Sequence, residues 1–481
     1  MTRAAEAMAN DESAAGWIQA TLGDFVATRT RGIVPNKTPD TTFELYSVPS
    51  LDTGAPEIVT GSEVGSNKQI VDEGTVLLCK INPRINRTWV VSPHTPYQKI
   101  ASTEWITFPP NESFEPKYLA YYLKQDTVRD FLAANASGVG GSLMRVKPTT
   151  LKDYPFPLAP LDQQKRIVAE IEKQFSRLDE AVASLKRVKA NLKRYKAAVL
   201  KAAVEGRLVE IEAERARREG RSYETGEQLL LHILETRRSQ WQGKGKYKEP
   251  TPPDTTGLPE LPEGWVWASP DQLSMNDDSA ICAGPFGTIF KAKDFRSAGV
   301  PIIFLRHVSP GQYLTHKPGF MDEQKWQELF QPYSVYGGEL LITKLGEPPG
   351  ICAIYPSGIG PAMVTPDVIK MSVNAEIALS SYLMFYFNSE VARKFSSGVA
   401  FGTTRTRLTI PIFREMPVAV PPLGEQHRIV AEVDRRLSLL REAEAQVDAN
   451  LQRTERLRQS ILAQAFSGRL KLSEESVGEV V

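Results

Sequence analysis

The chain has 481 residues, 58 Lys and Arg against 57 Asp and Glu, a formal net charge of +1 and 41% hydrophobic residues. That length supports about three or four units of roughly 100–200 residues, and the apolar share suffices for sizeable cores. The balanced charge argues against a polycation that holds nucleic acid by charge alone; no apolar run approaches the roughly 18 residues of a membrane span; and Cys79, Cys282 and Cys352 are too isolated for a disulfide framework or a zinc site.

In chain order, the first fifteen residues lack the apolar stretch of a secretory signal and read as a disordered tail, so a cytoplasmic protein is expected. Residues 16–160 read as a mixed α/β domain. It opens on Gly16-Trp17-Ile18, continues in short β runs such as Thr75–Ile81, and closes with a helical stretch (Pro116–Ala134), the loop Ser137–Arg145 and a Pro-rich exit. Trp17 reads as a seal of the domain entrance. Residues 161–208 form a long helix without Pro or Gly between Leu161 and Glu205. Ile171, Leu178, Leu185, Leu192 and Val199 recur every seven residues, with Phe175, Val182, Val188 and Tyr195 three or four positions on, which is a heptad seam. Residues 209–260 are charged, then helical over Gly226–Trp241, then an extended linker.

Residues 261–422 form a second mixed domain. It opens on Gly264-Trp265-Val266, carries β runs at Val300–Leu305 and Glu339–Lys344 and a helical stretch at Ile377–Phe395, and ends in the loop Ser397–Arg407 and another Pro-rich exit. Trp265 reads as Trp17 does. Apart from their ends the two domains show no mutual likeness. Residues 423–471 form a second long helix, with Val433, Leu440, Val447, Leu457 and Ile461 assigned to pairing and Glu444 and Thr454 as interruptions. Residues 472–481 are a tail.

The two helices repeat each other. Pro160-Leu-Asp-Gln-Gln-Lys-Arg-Ile-Val-Ala-Glu170 matches Pro422-Leu-Gly-Glu-Gln-His-Arg-Ile-Val-Ala-Glu432, and Gly206-Arg207-Leu208 matches Gly468-Arg469-Leu470. The offset is 422 − 160 = 262, without a gap across the 49 residues from Pro160 to Leu208. That spacing is too wide for a solenoid of roughly 20–50-residue period; it marks two halves, each ending in one element. At about 1.5 Å per residue each helix spans roughly 65–70 Å. A helix folded onto its own domain is one way to cover such a seam. Two matching seams favour mutual antiparallel pairing, which puts the two domains at opposite ends of a spacer.

Catalytic motifs are missing. There is no phosphate loop of the GxxxxGK[ST] type. Asn82-Pro83-Arg84 is not an amino-methyltransferase tetrapeptide, Asp367 with Lys370 is a poor nuclease signature, and the five histidines show no ligand spacing.

The twofold frame, the Pro-Leu-x-x-Gln-x-Arg-Ile-Val helix starts and the Gly-Arg-Leu ends resemble the specificity subunit of type I restriction-modification enzymes. Phe43–Ser47 and Gly61–Val91 are similar to one class of its target-recognition domains; Gly284–Gly287 and Ala298–Val308 resemble another. The resemblance covers nearly the whole chain beyond Ala15. It implies an α/β fold with two target-recognition domains separated by a pair of long antiparallel coiled-coil helices in a pseudo-twofold repeat. Each domain would read one half of a bipartite asymmetric site on double-stranded DNA, with half-sites centred about 34–36 Å apart. The helices would set the spacing and dock two modification subunits. S-adenosylmethionine, ATP and Mg would sit on partners, namely those methyltransferase subunits and restriction motor-nuclease subunits. This chain itself would bind no cofactor or metal and would not be an enzyme.

Candidate DNA-binding residues are those with forked or cationic donors after β runs and in Gly-rich loops, since Arg and Asn pair two-pronged with guanine and adenine edges. They are Lys80, Asn82, Arg84, Asn86, Arg87 and Arg145 in the first domain. In the second they are Lys291, Arg306, His307, Thr343, Lys344, Arg405 and Arg407. The same polar cluster at 80–87 fits a solvated turn. Two other readings of the chain stay open: a noncatalytic coiled-coil scaffold spacing two protein-binding domains, and a specificity subunit of a fused methylase-nuclease.

Overall fold

The computed structural model describes residues 16–138, 144–242, 246–285, 290–291, 294–346, 349–399 and 407–472. The chain divides into two compact units, Met1–Arg187 with Val447–Val481, and Val188–Gln446. Each holds one head, the start of the long helix that follows it and the end of the other long helix.

In the first head, strand β1 (Ile18–Thr21) pairs antiparallel with β10 (Pro155–Leu158), joining domain entrance to exit. A five-stranded sheet has the order β2 (Arg31–Ile33), β5 (Lys68–Ile70), β8 (Gln98–Ser102), β3 (Thr42–Tyr46), β4 (Glu57–Thr60), with β3 and β8 parallel. A three-stranded sheet has the order β7 (Thr88–Val90), β6 (Val76–Cys79), β9 (Trp105–Phe108). The expected helical stretch divides into α1 (Pro116–Leu123) and α2 (Asp126–Ala134). The Asn86 side-chain amide causes the break to hold: it donates to Leu123 O (2.9 Å) and Gln125 O (3.5 Å), carbonyls a continuous helix would have used internally.

In the second head, β11 (Val266–Ala268) pairs with β23 (Val418–Val420). One sheet has the order β12 (Ile281–Ala283), β22 (Val368–Met371), β19 (Leu340–Thr343), β20 (Cys352–Ile354). The other runs β13 (Phe295–Arg296), β17 (Gly319–Met321), β14 (Val300–Ile303), β21 (Ala362–Val364), β18 (Ser334–Val335), with β14 and β21 parallel. A small hairpin joins β15 (Val308–Ser309) to β16 (Gln312–Tyr313).

This corrects the expectation that the heads differ between their ends. Strands β3, β4, β5, β6, β7, β8 and β9 correspond in chain order to β14, β17, β18, β19, β20, β21 and β22, with the same parallel and antiparallel neighbours. The sequence carries a trace of it: Gly74-Thr-Val-Leu-Leu-Cys-Lys-Ile81 lies 264 residues before Gly338-Glu-Leu-Leu-Ile-Thr-Lys-Leu345 (338 − 74). Gly74 and Gly338 both adopt left-handed backbone, φ +80° and +91°, where a side chain is strained. Their N–H groups reach the same place, Val91 O and Tyr355 O.

The long helices are α3 (Leu161–Val204) and α8 (Leu423–Phe466), each of 44 residues. Between them come α4 (Glu212–Glu219), an element the sequence reading did not contain, and α5 (Gly226–Ser239). The expected helix ends at 208 and 471 retreat to Val204 and Phe466 because Gly206 and Gly468 turn left-handed, φ +68° and +75°. The N–H groups of Arg207 and Arg469 then close on Ala202 O and Gln464 O, a Schellman stop. After the second head's helices α6 (Ser380–Phe387) and α7 (Glu390–Val399), the chain reaches α8 through β23.

The helices pair antiparallel within each unit. In the first unit, Ile167, Val168 and Ile171 share a core with Leu462, Ala465 and Phe466, and Arg458 lies over the Phe175 ring and pairs with Asp179. In the second, Val199, Leu200 and Ala203 pack with Ile429 and Val433, and Arg436 reaches the Tyr195 hydroxyl. One seam residue is corrected. Leu457 is 43% exposed, while Thr454 is 7% exposed and occupies the heptad step between Val447 and Ile461. Among the described residues no helix is long and apolar enough to cross a membrane.

Candidate nucleic-acid interface

Gln164 and Gln426, the fifth residues of the two Pro-Leu-x-x-Gln starts, explain why each head is fixed to its helix. Both are wholly buried. Gln164 donates to Ala159 O (2.7 Å) and Ser113 O (3.0 Å) and accepts from Glu115 N. Gln426 donates to Pro421 O (3.0 Å) and Ile377 O (2.8 Å) and accepts from Leu379 N. One amide side chain thus ties the helix start to the strand before it and to the loop entering α1 or α6. Trp17 Nε1 donates to Gln163 Oε1 and Trp265 Nε1 to Glu425 Oε1, so both indoles anchor domain entrances.

On that footing each head builds the same polar constellation where its central strand ends. In the first, β6 runs into Lys80, whose N–H donates to Glu104 O (2.8 Å) and whose carbonyl accepts from Val146 N (3.0 Å). Arg145 is bridged to Ile81 and Ser137, and its guanidinium makes two 3.1 Å bonds to the Glu104 carboxylate. In the second, the Lys344 N–H donates to Asp367 O (2.9 Å) and its carbonyl accepts from Leu408 N (2.8 Å). Arg407 is bridged to Leu345 and lies 3.6 Å from the Asp367 carboxylate. Each loop-end arginine is therefore held over a strand end by an acid, about half its side chain still in water. The Glu104 carboxylate keeps Arg145 charged, raising its already high pKa. Such an arginine can exchange a carboxylate for a phosphate oxygen without moving its backbone.

Glu104 has no place among the sequence candidates, and Asp367 enters there only as part of a poor nuclease signature. The repeated Gly-x-x-Leu-x-x-Lys run was the signal that could have led to them, because it aligns the two strand ends they serve.

The other candidates divide by exposure. Asn82 is left-handed (φ +49°), the conformation short polar side chains tolerate, and it opens a turn at Pro83–Ile85. Arg84 is exposed and Arg87 half-buried in that loop. Arg306 is exposed, stacked 4.1 Å over Phe304 and bonded to Lys317 O; Lys291 is exposed. Four candidates are corrected. Asn86 spends its donors on the α1 end described above. His307 is 2% exposed and its ring lies between Phe304 N and His316 O, with burial lowering its pKa. Thr343 is 3% exposed and accepts from Ile351 N. Lys344 is 5% exposed, its pKa lowered by burial and by Arg407. His307, Thr343 and Lys344 are buried, and both Asn86 amide donors are already bonded. Arg405 lies outside the described residues. Among the described residues no group of His, Cys, Asp and Glu could hold a metal ion.

Each unit also carries a cleft between its second head helix and the end of the other long helix. In the first it measures about 460 Å³ and is lined by Lys124, Asp126, Arg129, Gln459 and Leu462, with Arg84 at its edge. In the second it measures about 480 Å³, and Asn388, Glu390, Arg393, Ala197 and Leu200 stand at the matching positions.

A family model described as the type I restriction modification DNA specificity domain matches residues 317–451. The EcoBI specificity subunit of Escherichia coli is 25% identical over 341 residues, 70% of this chain and 63% of that protein. The EcoKI specificity subunit of Escherichia coli K12 is 22% identical over 357 residues, 73% of this chain and 65% of that protein. The chain thus matches just under two thirds of the length of these relatives. Among solved structures, a chain from a type I R-M system, studied for complex assembly and conformational transition, aligns over 95% of this chain and 99% of its own. The TM-score is 0.66 at 19% identity, which is a likeness of fold.

Proposed function

We infer that this chain, a member of the family of type I restriction-modification specificity subunits, is the DNA-reading subunit of a methylation and restriction complex and does no chemistry itself. The carrying observation is the strand-end constellation built twice, on two heads whose loops differ: Lys80, Glu104 and Arg145 in one, Lys344, Asp367 and Arg407 in the other. Two readers of one plan with different loops suit a bipartite, asymmetric site. Arg145 and Arg407 would bind phosphates and fix register, while Asn82, Arg84, Arg87, Lys291 and Arg306 would approach base edges.

The near-neutral charge supports a reader that borrows affinity from its partners. Those partners would be two modification subunits, each taking one of the matching clefts and the apolar side chains left on the long helices, among them Tyr195 (48% exposed) and Leu439 (54% exposed). S-adenosylmethionine and adenine methylation would belong to those subunits; ATP, Mg and DNA cleavage would belong to restriction subunits. The complex would work in the cytoplasm, where host DNA lies.

The test is a footprint of the reconstituted complex on host DNA. Two protected half-sites are expected. A scaffold for proteins would leave no footprint, and that result would overturn the reading.

A further inference from the structure

Two loops flank the strand-end constellation in each head. One is the turn after the strand-end lysine, between β6 and β7 or between β19 and β20. The two turns share a frame at an offset of 264 residues (350 − 86). Cys79 N and Thr343 N donate to Arg87 O and Ile351 O, both at 2.9 Å. Asn82 and Asn86 are left-handed, φ +49° and +50°, and so are Gly346 and Gly350, φ +141° and +91°. The side chains differ. The first turn carries Asn82, Arg84 and Arg87, whereas Gly346-Glu-Pro-Pro-Gly-Ile351 offers no side-chain donor.

The other loop follows β3 or β14. Those strands pair Tyr46 with Ala101 and Ile303 with Val364, each three residues before the acid (104 − 101, 367 − 364). Here the distribution reverses. Residues 47–56 hold no Lys, Arg, His, Asn or Gln. Residues 304–318 hold Arg306, His307, Gln312, His316 and Lys317 and contain the β15–β16 hairpin. That hairpin is seated beside the donor-free turn, with Gly311 N donating to Cys352 O (2.9 Å) at the start of β20. Arg306 stacks 4.1 Å over the Phe304 ring and gives one of its five N–H groups to Lys317 O (2.9 Å). The buried His307 ring ties the two sides of the hairpin together. Its Nδ1 accepts from Phe304 N (3.3 Å) and its Nε2 donates to His316 O (3.1 Å). Lys317 takes left-handed backbone, φ +48°, which strains a lysine.

We propose, resting on the reading of both heads as DNA readers, that base recognition sits in different loops of the two heads. The turn 82–87 reads in the first head. In the second, Arg306 on the hairpin arm reads a guanine, and His307 is its positioning residue. Arginine pairs two-pronged with guanine O6 and N7, and an arginine held by stacking and by one carbonyl keeps its other donors for that edge.

The experiment uses the full chain reconstituted with its modification subunits and maps the methylated motif. The second half-site is the one that survives exchange of residues 16–160. Arg306→Ala should relax one G·C position there, lowering the preference about 10–100-fold, and leave the first half-site unchanged. Arg84→Ala with Arg87→Ala should do the converse. His307→Ala should relax the same position as Arg306→Ala, with nothing more lost when the two are combined. His307→Gln, which keeps a donor and an acceptor, should recover most of the preference. Asp52→Ala, in the donor-poor loop of the first head, should leave the motif intact. A parent complex that methylates without sequence preference would overturn the reading and this inference together. A parent that reads two half-sites, with the second unchanged in Arg306→Ala or relaxed elsewhere in His307→Ala, would overturn this inference alone.

Discussion

The two heads share a strand plan and differ at its margins. Seven strands correspond one to one, and so do the strand-end lysine, its acid and its arginine. The fifth strand of the larger sheet sits on opposite edges, β2 beside β5 in the first head and β13 beside β17 in the second. The second head also adds β12 outside β22. Inner ladders bury both faces and tolerate little change, whereas edges and loops can vary without disturbing a core. Under the proposed function, such a plan would let a head take a new target while keeping the residues that seat it on phosphate.

The largest expected effect follows from that separation. Replacing residues 16–160 with the corresponding head of a relative should change one half of the methylated motif completely and leave the other half as it was. Next comes the fastening of heads to helices. Gln164→Ala and Gln426→Ala should each cost about 3 kcal/mol in chemical unfolding, by similar amounts because the two amides make matching bonds. Unequal losses would show that the two junctions are not equivalent.

The two junctions differ in one titratable group, Glu425 against Gln163. Burial raises the Glu425 carboxyl to about 7, against the lowering influence of its hydrogen bonds and of Arg428. Between its unfolded value and about 7 the folded state holds the proton more tightly. Its contribution is therefore present in full below the unfolded pKa and lost as pH rises through 7, on the order of 1–3 kcal/mol. Gln163 occupies this place in the first unit and cannot titrate. Denaturation midpoints between pH 5 and 8 should fall more steeply for the second unit, and Glu425→Gln should flatten that slope.

Arg145→Ala and Arg407→Ala should each weaken DNA binding by the reconstituted complex about tenfold and reduce the salt slope by about 1, equally on cognate and unrelated DNA. Loss of base preference instead would move those residues from phosphate to base. The smallest effect concerns the seam. Thr454→Leu should stabilise by about 1 kcal/mol by restoring an apolar heptad step, whereas Leu457→Glu, on an exposed face, should change stability by less than about 0.5 kcal/mol.

The sequence displayed the helices and hid the heads' kinship, for physical reasons. A seven-residue seam over 44 residues is a strong periodic signal, and Gly206 and Gly468 punctuate it. Leu457 is apolar but lies off the seam; the strict seven-step from Val447 leads to Thr454 instead. The heads' short strands repeat weakly, and Arg145 meets Glu104 across 41 residues of chain, a pairing with no period to reveal it. His307, Thr343 and Lys344 are polar residues that follow apolar runs. Those runs end inside the core, so their polar neighbours are bonded there.

The central claim is that two heads of one plan read two different half-sites. Mapping adenine methylation in DNA exposed to the chain and its modification subunits tests it most directly. Two unlike blocks of fixed bases separated by a constant unread gap are predicted. A single undivided motif, or two identical half-sites, would contradict it.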